Sequence, residues 1–227
     1  MSIISRLRTT ASVLTHGLPE IQRLGFKVEV AGRSRYEHML HLFRQYNPRS
    51  MIEIGVWRGD RTIRFLSDGE ALKRYVGFDL FEGMTNEKYQ YESMGQCVPH
   101  SKEAVMKRIR PIAVQRGCSV DLISGKTEET LPGFAKEYAG QYDFIYIDGG
   151  HSLETVANDW EFSKRLLAPH GLVIFDDYYL NDDSRGAKPL ADMLLHDRNY
   201  RVRFFPMTED IIEDIQITMV AVSPQQS

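Results

Sequence analysis

From residue 51 onward the chain alternates short β-rich runs with amphipathic helical stretches, and this alternation restricts the fold more than any other feature. It is the pattern of a mostly parallel sheet with helices on both faces. Strands are expected at residues 51–54, 75–80, 120–124, 143–148, 172–176, 202–205 and 215–222. Helical periodicity falls between them. Leu153, Val156, Ala157 and Trp160 form one stripe, and Ala187, Leu190, Ala191 and Leu194 a second. Tyr36, Met39, Leu40 and Phe43 form a third stripe that ends near Asn47 and Pro48. The last two strands lie about nine residues apart, too few for a helical crossover, so an antiparallel pair is expected there. The fold class is therefore α/β: a seven-stranded, mostly parallel sheet with one late antiparallel strand and helices on both faces. Residues 81–117 are the least regular connection, with a helical stretch interrupted or kinked at Pro111. Long irregular connections in compact domains are usually functional.

Composition narrows the class without naming it. The 227 residues are 42% hydrophobic and 26% charged, and the longest apolar runs fall far short of the ~20 residues that span a bilayer. A net charge of -3 lacks the basic excess of a dedicated nucleic-acid binder. Cys97 and Cys118 form no zinc-type spacing and read as two reduced thiols of a cytoplasmic protein. The first twenty residues lack a continuous apolar segment of secretory type, although their basic, acid-poor character also leaves a transit peptide open. Ile3, Leu7, Ala11 and Leu14 share one helical face, so residues 1–50 are expected to form a helical extension that caps the fold or contacts a partner subunit. Residues 51–227 form the main domain.

The first strand runs into Glu53-Ile54-Gly55-Val56-Trp57-Arg58-Gly59, and Asp60 opens a helix. Glycines at a strand-to-helix turn let a ligand approach the backbone, and a helix N-terminus offers free N–H groups. Asp79 follows at the end of the second strand, where an acid can accept hydrogen bonds from the hydroxyls of a ribose. The turn lacks the Gly-x-Gly-x-x-Gly form that wraps a pyrophosphate. It carries an acid, Glu53, which suits a cationic sulfonium or amino group and favours S-adenosylmethionine over a dinucleotide. A turn-forming loop with no ligand is the plainer use of the same glycines. Trp57 packs against either the cofactor or the protein.

The fourth strand ends in Asp148-Gly149-Gly150-His151 and the fifth in Asp176-Asp177-Tyr178. Adjacent parallel strands bring Asp148 to the Asp176/Asp177 pair at the carboxyl edge of the sheet, where ligands bind in open α/β folds. Each aspartate alone reads as a helix N-cap. Three carboxylates converging without basic partners would drive up one another's pKa, and a hard divalent cation, Mg²⁺ foremost, removes that cost. Tyr178 and Tyr179 read as core, with an acceptor pocket as the other use. His38 and His41 are read as non-metal. Lys102, Lys107, Arg108 and Arg110 read as a solvated helix face.

IEIGVWRGDRT, VGFDLFEG, DLISGKTEETLP, FIYIDGGHSLETVANDW and GLVIFDDY, in this order, resemble the class I S-adenosylmethionine-dependent methyltransferases with their Rossmann-like fold. More narrowly they resemble the metal-dependent macrocin O-methyltransferase (TylF-type) group, over roughly residues 50–222. The resemblance implies that Glu53, Gly55 and Gly59 line the methionine end of the cofactor, with Trp57 beside them, and that Asp79 holds the ribose. It sets Ser124, Gly125 and Lys126 near the adenine, and makes Asp148, Asp176 and Asp177 ligands of a divalent metal. His151 or Asp148 then takes the proton of the acceptor hydroxyl. The acceptor implied is a small polyhydroxylated molecule, a sugar of a natural product or glycan. A catechol or other phenol is the alternative, and a non-catalytic nucleoside- or metal-binding module a second. The same resemblance suggests a homodimer.

Overall fold

The computed structural model describes residues 34–83, 99–206, 208–210 and 215–225. In chain order they form α1 (Arg35–Tyr46), β1 (Ser50–Ile54), α2 (Asp60–Asp68), β2 (Arg74–Asp79), a 3-10 turn (Phe81–Gly83), α3 (Lys102–Arg116) and β3 (Ser119–Ser124). There follow α4 (Thr127–Glu137), β4 (Tyr142–Ile147), α5 (Leu153–Leu166), β5 (Leu167–Tyr179), α6 (Lys188–Leu195), β6 (Tyr200–Phe204), β7 (Glu209–Asp210) and β8 (Gln216–Pro224). Serines at 34, 101 and 152 cap α1, α3 and α5 by accepting backbone N–H groups.

The sheet order is β3-β2-β1-β4-β5-β8-β6. Its first five strands are parallel, and β8 runs antiparallel between β5 and β6. All seven expected strands are present. The two-residue β7, paired on β8, is an addition inside the connection between the last two. Strand β5 is also longer than its expected span, because its register shifts against both neighbours let it bend and continue.

Period-two alternation distributes the strand side chains over two layers. Ile52, Ile54, Val76, Phe78, Ile145, Ile147, Val173 and Phe175 pack with residues of α4, α5 and α6. Met51, Tyr75, Phe144, Tyr146 and Ile174 pack on the opposite face with residues of α1, α2 and α3. Met39, Leu40 and Phe43 of α1 are buried there, Phe43 lying edge-on to Phe144 at 5.2 Å. The described part of the expected extension is thus built into the core of the domain. Ile3, Leu7, Ala11, Leu14 and Cys97 lie outside the described residues.

Of the interruption or kink expected at Pro111, the interruption is corrected: α3 runs on through it. Pro111 and the preceding turn at Lys107 are solvent-exposed, so the carbonyl that loses its N–H partner lies on the solvent side of the helix. Among the described residues no helix is long and apolar enough to cross a membrane.

The sheet reverses its order of growth between β1 and β4, which leaves a crevice at their carboxyl ends. There Gly55 donates its N–H to the Phe78 carbonyl, and Asp148 donates its N–H to the Ile54 carbonyl. Gly55 has φ 91°, and a Cβ at this position would stand 1.9 Å from the Asp148 carbonyl oxygen. Only glycine meets both demands. Gly117, which ends α3 at φ 61°, has nothing within 4 Å of a built Cβ. Gly117→Ala is therefore expected to cost about 1 kcal/mol, the left-handed penalty alone. Gly55→Ala is expected to cost upwards of about 3 kcal/mol, since backbone must move as well. Urea unfolding of the two variants checks this, and equal losses would contradict the close approach.

Candidate active site

Every strand from β1 to β5 ends at one edge, and the side chains singled out in the sequence gather there in two groups on either side of the crevice. Asp79, at the end of β2, is the centre of the first. Its Oδ2 accepts the Trp57 N–H at 2.6 Å, and its Oδ1 accepts the Phe81 N–H at 2.8 Å. Trp57 and Phe81 both have positive φ, 50° and 48°, which costs a non-glycine residue on the order of 1 kcal/mol. The carboxylate therefore holds the two turns after β1 and β2 in conformations they would not choose alone. Each oxygen keeps a lone pair for a further donor. Ser124 is aligned with Asp79 in the β2–β3 register, Gly125 donates to the Asp79 carbonyl, and Lys126 caps α4. The expected adenine-side residues are thus neighbours of the expected ribose acid.

Glycines 55 and 59 serve the protein's own packing. A Cβ on Gly59 would come within 3.0 Å of Val105 and 3.2 Å of Ile109 on α3. Arg108 of α3 ties down the same turn by donating to the Arg58 carbonyl and pairing with Asp60 at 2.7 Å. Of the expected solvated basic face, Arg108 thus has a structural task, while Lys107 and Arg110 are exposed. The Trp57 ring carries the Arg58 guanidinium at 4.3 Å and meets the His100 ring edge-on.

Glu53 lies beneath this turn. Alternation along β1 aims it to the same face as Met51, and it is completely buried. Its Oε2 accepts from Thr62 at 2.7 Å and from the Tyr75 hydroxyl, while Oε1 has no hydrogen-bond partner among the described residues. Burial pushes its pKa up to about 7, against the pull of Tyr75, Arg61 and Thr62.

The second group is carboxylate-rich. Asp148, Asp176 and Asp177 each offer an oxygen, and these atoms lie within 4.8 Å of one another. Register explains the convergence: Gly55 and Asp148 follow the paired Ile54 and Ile147, and Asp176 follows Phe175, the partner of Ile147. The β5–β8 register shift between Phe175 and Tyr178 then turns Asp177 into the site with φ 55°. The Asp177 Oδ2 pairs with His151 Nε2 at 3.0 Å, and the Tyr179 hydroxyl lies 3.3 Å from His151 Nδ1. Gly186 and Ala187 donate to the carbonyls of His151 and Asp177, which joins the loop before α6 to both. Tyr178 faces away and donates to Asp192 at 2.7 Å, so it is core, whereas Tyr179 belongs to the site.

The premise that these carboxylates lack basic partners is corrected. Arg35, the first residue of α1, donates from Nε to Asp176 Oδ1 at 2.9 Å and also pairs with Glu209 of β7. Arg61, in the first turn of α2, pairs with Asp148. The Tyr146 hydroxyl donates to Asp176 Oδ2 at 2.9 Å. Sequence reasoning missed Arg35, Arg61, Tyr146 and Glu209. Arg61 stands inside the glycine block that was singled out, but only the fold reveals that its side chain crosses to β4.

Titration follows this arrangement. Burial drives Asp148 well above the usual carboxylate range, with Asp176 and Asp177 adding to the effect against Arg61. Asp176 is the more deeply buried, yet Arg35 and Arg61 hold it below that range. Burial alone would lower His151, but its hydrogen bond to Asp177 and the neighbouring carboxylates raise it above 6.5. The donor set is all oxygen and tightly grouped, which fits a hard divalent cation. Arg35 and Glu209 compensate each other, and Arg61 stands opposite one of the three aspartates.

The Methyltransferase domain family (Methyltransf_24) matches residues 52–178. No curated protein sequence matches the chain. Among solved structures, the O-methyltransferase from Bacillus cereus in complex with SAH shares 16% identity, with 96% of this chain and 90% of that one covered at a TM-score of 0.55. The O-methyltransferase TomG from Streptomyces achromogenes, involved in tomaymycin synthesis and in complex with SAM, shares 13% over 98% of this chain and 89% of that one, at a TM-score of 0.57. The SAH-bound methyltransferase PaMTH1 from Podospora anserina shares 17% over 98% and 95%, at 0.51. At such identities the likeness establishes the fold, a Rossmann-like sheet of methyltransferase type.

The buried Glu53 makes stability depend on pH. Its folded carboxyl keeps a proton to about pH 7, whereas the unfolded one releases it near 4.5. Stability is therefore lost as pH rises through that window, by about 3 kcal/mol. In Glu53→Gln this loss disappears, so the variant should gain on the parent by that amount between pH 4.5 and 7.5 in urea titrations. A difference that stays constant with pH would contradict the assignment.

Proposed function

The chain belongs to the Methyltransferase domain family, and from that premise we propose that it is an S-adenosylmethionine-dependent O-methyltransferase that requires a divalent cation. The observation that carries this reading is the pairing of two unlike groups across one crevice. On one side Asp79 holds the glycine turn with acceptor capacity left for a nucleoside, and on the other the Asp148, Asp176 and Asp177 oxygens lie within 4.8 Å of one another, a set that would suit a cation. The solved structures of like fold support the cofactor, two of them being held with SAH and one with SAM. Two carry the name O-methyltransferase, which supports an oxygen acceptor.

In this reading Asp79 accepts the ribose hydroxyls through the lone pairs left by Trp57 and Phe81. S-adenosylmethionine supplies a methyl group already activated as a sulfonium, so positioning contributes much of the remaining catalysis. Asp148, Asp176 and Asp177 would hold a divalent cation, which would supply acidification of a hydroxyl oxygen. Asp177 and Tyr179 orient the His151 ring from its two nitrogens. His151 is one candidate for the group that takes the hydroxyl proton and Asp148 the other. The motif blocks of residues 146–151 and 175–178 point to the TylF-type group, and with it to a sugar or similar polyhydroxylated small molecule.

The test is transfer from labelled S-adenosylmethionine to a panel of sugars and catechols, with and without EDTA. EDTA and Asp148→Ala should each lower turnover by at least about a hundredfold while cofactor binding persists. Turnover indifferent to both would remove the metal role. Efficient turnover of catechols alone would replace the sugar assignment by the phenol one.

A further inference from the structure

Arg61 is an unexpected residue at its position. It lies in the first turn of α2, where a positive charge opposes the helix dipole, and Gly59 offers no side-chain cap to offset it. A locally unfavourable residue is retained where another contact requires it. That contact is across the crevice: the Arg61 guanidinium passes 4.9 Å from the Tyr36 ring and 5.7 Å from the Tyr146 ring to reach Asp148. The Tyr146 hydroxyl is itself fixed on Asp176, so the ring behind Arg61 is anchored to a second member of the cluster. Arg61 thus has a built seat, with its charge against one of the three grouped carboxylates.

We propose that Arg61 competes with the cation for Asp148, so that loading the site exchanges a guanidinium for a metal ion. The inference rests on the proposed reading that the three aspartates hold a cation. Two positive groups in contact with one buried carboxylate repel each other strongly at low dielectric. Arg35 need not leave, because Glu209 remains its partner when Asp176 turns to a cation. Arg61 pairs, among the described residues, with Asp148. Its side chain is 27% exposed, which gives the displaced head group a route to solvent along the Tyr36 ring. Arg61 therefore raises the cation concentration at which the site fills.

The test is Mn²⁺ alone, titrated into the full chain and read from the loss of the free-ion electron paramagnetic resonance signal. Arg61→Gln should bind Mn²⁺ at least about tenfold more tightly than the parent, and Arg61→Lys, which keeps the charge, within about threefold of it. Thermal unfolding should show a larger Mn²⁺-induced rise in Tm for Arg61→Gln, because the cation replaces a compensating charge that the variant lacks. Equal or weaker binding by Arg61→Gln overturns the competition and makes Arg61 an orienting group. Binding by neither protein overturns it together with the metal reading. Should Arg61→Gln fail to fold, the side-chain Nε–H resonance of Arg61 in the parent decides. It should shift with Mg²⁺ at the midpoint of binding, and an unmoved resonance in a loaded site overturns the exchange.

Discussion

The site depends on how closely β1 and β4 meet at their carboxyl ends. Gly55 and Asp148 exchange no side-chain contact. They are locked by backbone: the glycine has no Cβ to keep the Asp148 carbonyl away, and each turn donates an N–H to a neighbouring strand. Because β1 also pairs with β2, and β4 with β5, this junction sets the Asp79 group and the carboxylate group at a fixed separation. The glycines of the first turn are therefore as much a requirement of the sheet as of any ligand. A ligand in the crevice inherits a geometry the backbone has already established.

Charge is the second constraint. Gathering three aspartates at one edge, Asp176 buried and its two neighbours half-buried, is costly on its own, and the chain relieves it from both sides of the sequence. Arg35 arrives from the helix before the sheet, Arg61 from the first helix after β1, and His151 from the turn after β4. The result is an acidic cluster partly compensated by the chain's own cations. Left-handed backbone at Trp57, Phe81 and Asp177 falls in the same region, so three of the four non-glycine positive-φ residues among those described flank the crevice. Strain concentrated at one edge of an otherwise regular sheet fits its use as a site.

Much of this was legible from the chain alone. Short β-rich runs between amphipathic stretches located the strands, and the short interval before β8 gave its antiparallel direction. The order of the acidic strand ends gave the convergence of Asp148, Asp176 and Asp177. What escaped was the reach of long side chains between elements far apart in sequence. Arg35 lies 141 residues from Asp176, and no local pattern connects them. The burial of Glu53 was readable in principle, since it shares the parity of Met51 on β1, but its glycine-rich setting drew attention to the ligand side. Pro111 shows the opposite case, where a local rule suggested a break that an exposed helix face tolerates without one.

The central claim is that the crevice between the β1 and β4 turns binds the nucleoside end of a methyl-donor cofactor. Calorimetric titration of the folded chain with S-adenosylhomocysteine, magnesium present, tests it most directly. The account predicts micromolar binding at one site per chain. The absence of binding heat over a range of temperatures, from protein shown to be folded, would contradict it.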